Sequence, residues 1–236
     1  MLNSRITAAA GSVVAGACIG MSSVFLLSAC GSAPSAPTAT SSPSTSSVYG
    51  DPAAAAKYWQ QQSLEDNCGP VSVADVVGEI TGHAPTEQQM ISLAESTPSH
   101  TNPGPIYAPR DDPSHSNGNG GIEMADEVVL LDHYGINSKM TYAAHPEQTG
   151  LPALEQYLAG DRKVIAWVNS AIIWDTNDQR AKADHFLVVT GVDADKEIVH
   201  LNDPGADHAD EQVAITTFMN AWQTGEESIV VTAAAS

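Results

Sequence analysis

The chemistry that this sequence could perform centres on one thiol, that of Cys68. It lies in the run Asn67-Cys68-Gly69-Pro70, where an apolar periodicity predicts a helix over Pro70–Ile80. Proline is tolerated in the first turn of a helix, so we expect the thiol at the helix N-terminus. The helix dipole and the free amide donors at that end favour the thiolate, which is the nucleophilic form. The alternative interpretation is a small buried hydrophobic residue, a common environment for a free cysteine.

A thiol nucleophile needs a base, and the candidate is His185. It opens the apolar run His185–Val192, which is predicted to form a β-hairpin with Glu197–Asn202. Six other histidines lie in predicted loops or at helix ends, and we expect them at the solvated surface: His83, His100, His115, His133, His145 and His208.

Asp203 is the candidate for the group that orients the imidazole. If the hairpin turn centres on residues 194–195, the numbers of cross-strand partners sum to about 388–390. His185 then lies opposite residues 203–205, so Asp203 is adjacent to it or directly across from it. Asn202 is the alternative, although strand alternation points it to the opposite face of the sheet.

The spacing of Gln62, five residues and then Cys68-Gly69-Pro70 resembles papain-like cysteine peptidases. It looks closest to the bacteriocin-processing (double-glycine leader) peptidases and their exported relatives, cysteine-peptidase family thirty-nine. The resemblance implies that Cys68 is the nucleophile and that the substrate is a peptide or protein. It also implies that the Gln62 side chain and the Cys68 backbone N–H bind the oxyanion. Papain uses an asparagine beside its histidine, which keeps Asn202 open as the third member.

Two other functions fit the same residues. One is a transglutaminase-like acyl transfer to an amine, which uses Cys, His and Asp in the same order. The other is a non-enzymatic surface lipoprotein on the same fold. The parent bacteriocin peptidases are attached to transporter domains, and none is evident here, which puts a leader-peptide substrate in doubt.

The elements that must position these residues follow an order of helices first and strands later. This order predicts an α+β, papain-like fold, in which a helical half with the nucleophile helix packs on an antiparallel β-sheet. Residues 97–121 are rich in Pro, Gly, Asn and Ser, and we expect a long loop that is either a substrate-covering lid or a floppy insertion. The other predicted helices are Pro52–Gln61, Thr86–Glu95, Gly121–Tyr134, Leu151–Leu158 and Thr216–Trp222, and the other predicted strands are Lys163–Asn169 and Ser228–Thr232.

The N-terminus is expected to be a targeting segment. Residues 1–29 carry one charge, Arg5, and end in Leu27-Ser28-Ala29-Cys30. These four residues resemble a bacterial lipobox, which implies a signal peptide over 1–29 and an acylated Cys30 on the outer face of the cell membrane. An uncleaved membrane helix is the alternative. Residues 30–52 are then a Ser/Thr/Pro/Ala-rich tether, and residues 53–236 form the peptidase domain.

Charge and composition exclude several kinds of partner. The 236 residues hold 9 Lys and Arg against 28 Asp and Glu, a net charge of -19, which argues against nucleic-acid binding. We expect no cofactor and no metal site, because no dinucleotide glycine pattern and no HxxxH or CxxC spacing occurs. The acidic cluster around Asp203–Glu211 is expected to be a solvated loop. We expect the protein to be a monomer.

Overall fold

The structure is a computed structural model that describes residues 47–108, 112 and 121–234. The predicted signal peptide, Cys30 and most of the predicted tether lie outside these residues. No helix in the described ranges is long and apolar enough to cross a membrane.

Helices and strands are interleaved along the described chain. The α-helices are α1 (Pro52–Ala55), α2 (Cys68–Thr81), α3 (Glu87–Ser96), α4 (Met124–His133), α5 (Leu151–Ala159), α6 (Ser170–Ile173) and α7 (Ile215–Gln223). The strands are β1 (Val48–Gly50), β2 (Ser138–Thr141), β3 (Val164–Val168), β4 (His185–Asp193), β5 (Ile198–Asn202), β6 (Glu211–Ala214) and β7 (Ile229–Thr232). A short 3₁₀ turn, Ala56–Tyr58, follows α1.

The strands form one antiparallel sheet in the order β2-β7-β3-β4-β5-β6. Strand β1 pairs with residues 191–193, at the far end of β4 from His185. Helices α2, α3 and α4 precede every strand except β1, and all strands pair antiparallel, which is the α+β class that the element order predicts.

Side-chain alternation along β4 builds a core on each face of the sheet. Phe186 and Val188 pack with residues of α2, α3 and α4, whereas Leu187 and Val189 pack with residues of α5 and α7. Every residue of β4 is buried. A strand packed on both faces has little freedom to move, so its first residue, His185, is held firmly relative to α2.

The two helices around the thiol match the sequence prediction. Helix α2 begins two residues before Pro70, with Cys68 as its first residue, and ends at Gly82, whose φ of 79° is left-handed. Helix α3 begins after Thr86, and the capping box between Thr86 and Gln89 is present. The β4–β5 hairpin also forms where the sequence predicts it.

Two predicted helix boundaries are corrected by the structure, and one strand lies where none was predicted. The helix predicted over Pro52–Gln61 ends at Ala55, because Trp59 and Gln62 bond instead to the main chain of residues 203 and 204. The helix predicted from Gly121 begins at Met124. Strand β1 lies within the segment 30–52 assigned to the tether, so the folded sheet reaches into that segment and begins before residue 53. A strand of three residues is too short to be predicted from the composition of the segment.

Candidate active site

Cys68 lies at the N-terminus of α2, against the start of β4. Its side chain is buried, with 7% of the residue exposed, and its Sγ accepts a hydrogen bond from the backbone N–H of Phe186 at 3.5 Å. The next residue, Gly69, packs closely against Ile122, since a Cβ at position 69 would lie 2.6 Å from Cγ1 of that side chain. The first turn of the helix therefore presses directly against neighbouring segments.

His185 meets Asp203 across the end of the hairpin. Nε2 of the imidazole donates to Oδ1 of Asp203 at 2.6 Å, and both residues are buried. Burial by itself lowers the pKa of His185, but the charge of Asp203 and the neighbouring Cys68 outweigh it and raise that pKa to about 10. The Cys68 side chain also interacts with the His185 ring, so the three predicted residues come together.

The register explains this contact. Val188 pairs with Asn202 and Val189 with Leu201, so the partner numbers sum to 390 on the site side of a bulge near Thr190. The ladder ends at Val188 and Asn202, and the chain turns after Asp203. His185 and Asp203 therefore meet just beyond the last paired residues of the hairpin.

Asp203 is a fully buried carboxylate with several donors. Oδ1 also accepts from the backbone N–H of Gly205 at 2.6 Å, and Oδ2 accepts from Nε1 of Trp174 at 2.8 Å. Burial raises the pKa of Asp203, but the His185 charge and these hydrogen bonds outweigh it and hold that pKa below its usual value. The prediction of a solvated acidic loop is therefore wrong for Asp203, which has 0% exposure.

Asn202 points away from the imidazole, as strand alternation predicts. Its Nδ2 donates to the carbonyl of Ala55 at 3.0 Å and to Oδ2 of Asp75 at 2.8 Å. The side chain therefore joins the hairpin to the helical half on the other face of the sheet. Asp203, and not Asn202, forms the hydrogen bond with the His185 imidazole.

Gln62 lies beside the Asp203 turn, but its side-chain amide is engaged elsewhere. Its backbone N–H donates to the carbonyl of Pro204 at 2.9 Å, while its Nε2 donates to the carbonyl of Leu64 at 2.7 Å. The oxyanion role of Gln62 stays a prediction.

Trp174 is a site residue that the sequence analysis missed. Its ring centre lies 5.1 Å from that of His185, and its indole N–H donates to Asp203. No sequence signal ties an isolated tryptophan in a loop-like stretch to a residue 29 positions away.

Two further acids stand near the site. Glu127 of α4 has 0% exposure, and within the described residues neither of its carboxyl oxygens has a hydrogen-bond partner. Burial and the adjacent Cys68 raise the pKa of Glu127 well above its usual value. Glu211 is half-buried near Asp203, and burial followed by the Asp203 charge raises the pKa of Glu211 to about 7. In the sequence both resemble ordinary surface acids.

The described part of the predicted loop is held down on the helical half. Ser99 Oγ donates to Asp126 at 2.6 Å, and Tyr107 is buried and donates to Asp66 at 2.7 Å. Residues 109–111 and 113–120 lie outside the described chain, so the lid remains a prediction. No cluster of three or more His, Cys, Asp or Glu side chains suited to a metal ion occurs among the residues that the structure describes.

A cleft of about 590 Å³ adjoins the reactive pair. Asp184 and Phe186, the residues on either side of His185, line it together with Ile122 and Trp167. Cys68 and His185 are not among the described residues that line the cleft, but Phe186 connects it to the thiol, because its backbone N–H donates to Sγ of Cys68.

Comparison with known proteins agrees with this architecture. The model of the Peptidase_C39 like family matches residues 37–229. A protein named Rv1268c from Mycobacterium tuberculosis and one named Mb1299c from Mycobacterium bovis are each 44% identical over 196 residues, covering 78% of this chain and 84% of each relative. The crystal structure of a C39-like peptidase from Bacillus anthracis has a TM-score of 0.51 and 18% identity, covering 75% of this chain and 94% of that one. The match of the family model over most of the chain establishes that this protein belongs to the Peptidase_C39-like family.

Proposed function

We propose that this protein is an exported, membrane-tethered cysteine peptidase that cleaves a peptide bond with Cys68, His185 and Asp203. The observation that carries the proposal is the 2.6 Å bond from the His185 imidazole to Asp203, with the Cys68 thiol beside the same ring. A nucleophile, a base and a group that orients the base are the parts that acyl transfer requires.

The reaction begins with an imidazolium–thiolate pair. The Cys68 thiolate attacks the carbonyl carbon of the scissile amide, and the Cys68 backbone N–H and the Gln62 side chain stabilise the oxyanion. For this role Nε2 of Gln62 must release its hydrogen bond to the Leu64 carbonyl and donate to the oxyanion instead. His185 protonates the leaving amine as the C–N bond breaks, which leaves a thioester on Cys68. Neutral His185 then takes a proton from water, the resulting hydroxide attacks the thioester, and the acid product and the thiolate are released.

The test is hydrolysis of a fluorogenic peptide panel by the domain and by single variants. We expect Cys68→Ala and His185→Ala to lose turnover by at least about a thousandfold, as removal of a catalytic nucleophile or base does in such sites. His145→Ala, at an exposed histidine, is the matched control and should retain full activity. Equal turnover in Cys68→Ala and the unmodified domain would refute the proposal.

The tethering part of the proposal rests on Leu27-Ser28-Ala29-Cys30. A diacylated Cys30 would supply the two acyl chains that stable anchoring needs. We expect the full chain to incorporate labelled palmitate and to sediment with membranes. Cys30→Ala should abolish both, whereas Cys18→Ala, within the predicted signal peptide, should abolish neither. Unchanged labelling of Cys30→Ala would exclude the anchor.

A further inference from the structure

The cleft beside the candidate active site is large compared with the smallest side chains. Its volume is about 590 Å³, and it is bordered by the residues on both sides of His185. A substrate with glycine at the adjacent position would leave this space unfilled, so binding energy from the cleft requires a long side chain.

The wall of the cleft is aromatic and apolar. Trp167 and Phe186 pack against each other with ring centres 4.2 Å apart, and Met124 and Met140 also line the cleft. Thioether and aromatic surfaces accept the methylene stem of a long side chain, and aromatic faces attract a cation.

The charges of the cleft are of one sign. Glu123, Asp184 and Glu226 line it, and none of its lining residues in the described ranges is basic. Asp184 is neutralised by an ion pair with Arg180, and Glu123 accepts a hydrogen bond from Asn102. Glu226 is exposed, and its carboxylate makes no hydrogen bond or ion pair among the described residues. Glu123 and Glu226 therefore both keep a negative charge at the cleft, and of the two only the Glu226 carboxylate has no hydrogen-bond donor among the described residues.

The position of Glu226 is fixed by the turn that carries it. A Cβ on the preceding residue, Gly225, would lie 2.6 Å from the Trp167 carbonyl and 2.9 Å from Cβ of Ala183, so only glycine fits against this wall. Glu226 itself has a left-handed φ of 58°. The backbone of Glu226 is thus fixed beside Trp167, and its side chain extends from a tightly packed turn.

We propose that this cleft is a specificity subsite for a lysine or arginine side chain of a peptide substrate, with the methylene stem on the half-buried Trp167 and the cation at Glu226. The inference rests on the proposed peptidase function, because it takes the cleft as part of the substrate path. Arginine adds planar stacking on the indole, so it should bind at least as well as lysine.

The experiment compares peptides that differ at one residue, varied in turn at each of the four positions on either side of the scissile bond. The residue is lysine, its uncharged counterpart norleucine, arginine, glutamate or glycine. At one position we expect kcat/KM for lysine and arginine to exceed that for norleucine about two- to fivefold, the range for a partly exposed ion pair. Norleucine should exceed glycine about tenfold or more through apolar burial, and glutamate should be the poorest of the long side chains.

Two matched variants assign the charge preference to its residue. Glu226→Gln should bring the lysine-to-norleucine ratio close to one. Glu197→Gln should leave the ratio unchanged, since Glu197 is also exposed and left-handed, with a φ of 56°, but lies at the far hairpin turn. The inference is overturned if Glu226→Gln leaves the lysine-to-norleucine ratio unchanged. It is also overturned if the unmodified protein cleaves the lysine and glutamate peptides with equal kcat/KM.

A binding measurement separates this inference from the proposed function. Cys68→Ala is titrated with fluorescently labelled lysine and norleucine peptides, and anisotropy gives the two dissociation constants. If the unmodified protein hydrolyses no peptide, the proposed function fails, but tighter binding of the lysine peptide still supports the subsite. Equal binding, or no binding of either peptide, overturns it.

Discussion

At the scale of single residues, the charge state of His185 depends on its neighbours. Burial disfavours the imidazolium, but the charged Asp203 accepts a hydrogen bond from its Nε2 and the Cys68 side chain lies beside it, so the pKa of His185 rises to about 10. Trp174 and Gly205 in turn hold the Asp203 carboxylate. The imidazolium therefore persists across the neutral range, as protonation of a leaving amine requires.

Asp203→Asn tests this dependence on charge. It keeps an oxygen for the Trp174 indole but removes the negative charge, so burial then dominates and the pKa of His185 falls. We expect the alkaline limb of kcat/KM, near pH 10 in the unmodified domain, to move to lower pH by more than one unit. Asp207→Asn, at an exposed aspartate in the same segment, should not move it. An unmoved limb in Asp203→Asn would contradict this explanation.

Glu127→Gln tests the buried acid behind the nucleophile. Because burial and Cys68 raise the pKa of Glu127 in the folded state, the folded protein retains a proton that the unfolded chain releases above about pH 4.5. Glu127 therefore lowers stability as pH rises, by at most about 1.4 kcal/mol per pH unit. We expect the free energy of unfolding of Glu127→Gln, relative to the unmodified domain, to increase between pH 4.5 and pH 7.5 in urea titrations. A difference that stays constant with pH would contradict the raised pKa.

At the scale of elements, the site is built from the first residue of α2, the first residue of β4 and the turn after β5. Helix periodicity predicted the first, the start of an apolar run predicted the second, and hairpin arithmetic placed the third near the second. These signals are local in sequence, which is why they could be read. The contacts of Glu127 and Trp174 depend on packing between distant segments, and no local pattern specifies them.

Gly69→Ala tests the contact between the nucleophile helix and the segment before α4. The added Cβ would lie 2.6 Å from Cγ1 and 2.8 Å from Cδ1 of Ile122, so this side chain must move. We expect Gly69→Ala to lower the free energy of unfolding by about 1–3 kcal/mol, the usual range for overpacking. In a double-mutant cycle Ile122→Ala should recover part of that loss. Purely additive effects would show that Ile122 does not limit the space at Gly69.

At the scale of the whole molecule, the sheet lies between helices on both faces and carries the site at one end of β4. The sequence predicted this class, but it did not predict that the sheet recruits β1 from the segment 30–52. Strand β1 covers the edge of β4, Tyr49 packs on the core of the α7 face, and Pro52 packs against Gly191.

Two shortened chains test where the folded domain begins in the sequence. A chain that starts at Ser47 retains β1, and one that starts at Ala53 loses it along with its ladder hydrogen bonds. We expect the shorter chain to be less stable by about 2–4 kcal/mol in urea unfolding, through lost hydrogen bonds and lost apolar burial. Equal midpoints for the two chains would place the domain boundary at residue 53, as composition alone suggested.

The most direct test of the central claim is the site of covalent capture by a peptide that carries a thiol-reactive group in place of its scissile bond. Peptide mapping by mass spectrometry after reaction at pH 7 should find one adduct, on Cys68. The rate of capture should fall at least about a hundredfold in His185→Ala and stay unchanged in His145→Ala. Capture at an undiminished rate in His185→Ala, or none at Cys68, would show that this thiol and this imidazole do not act together.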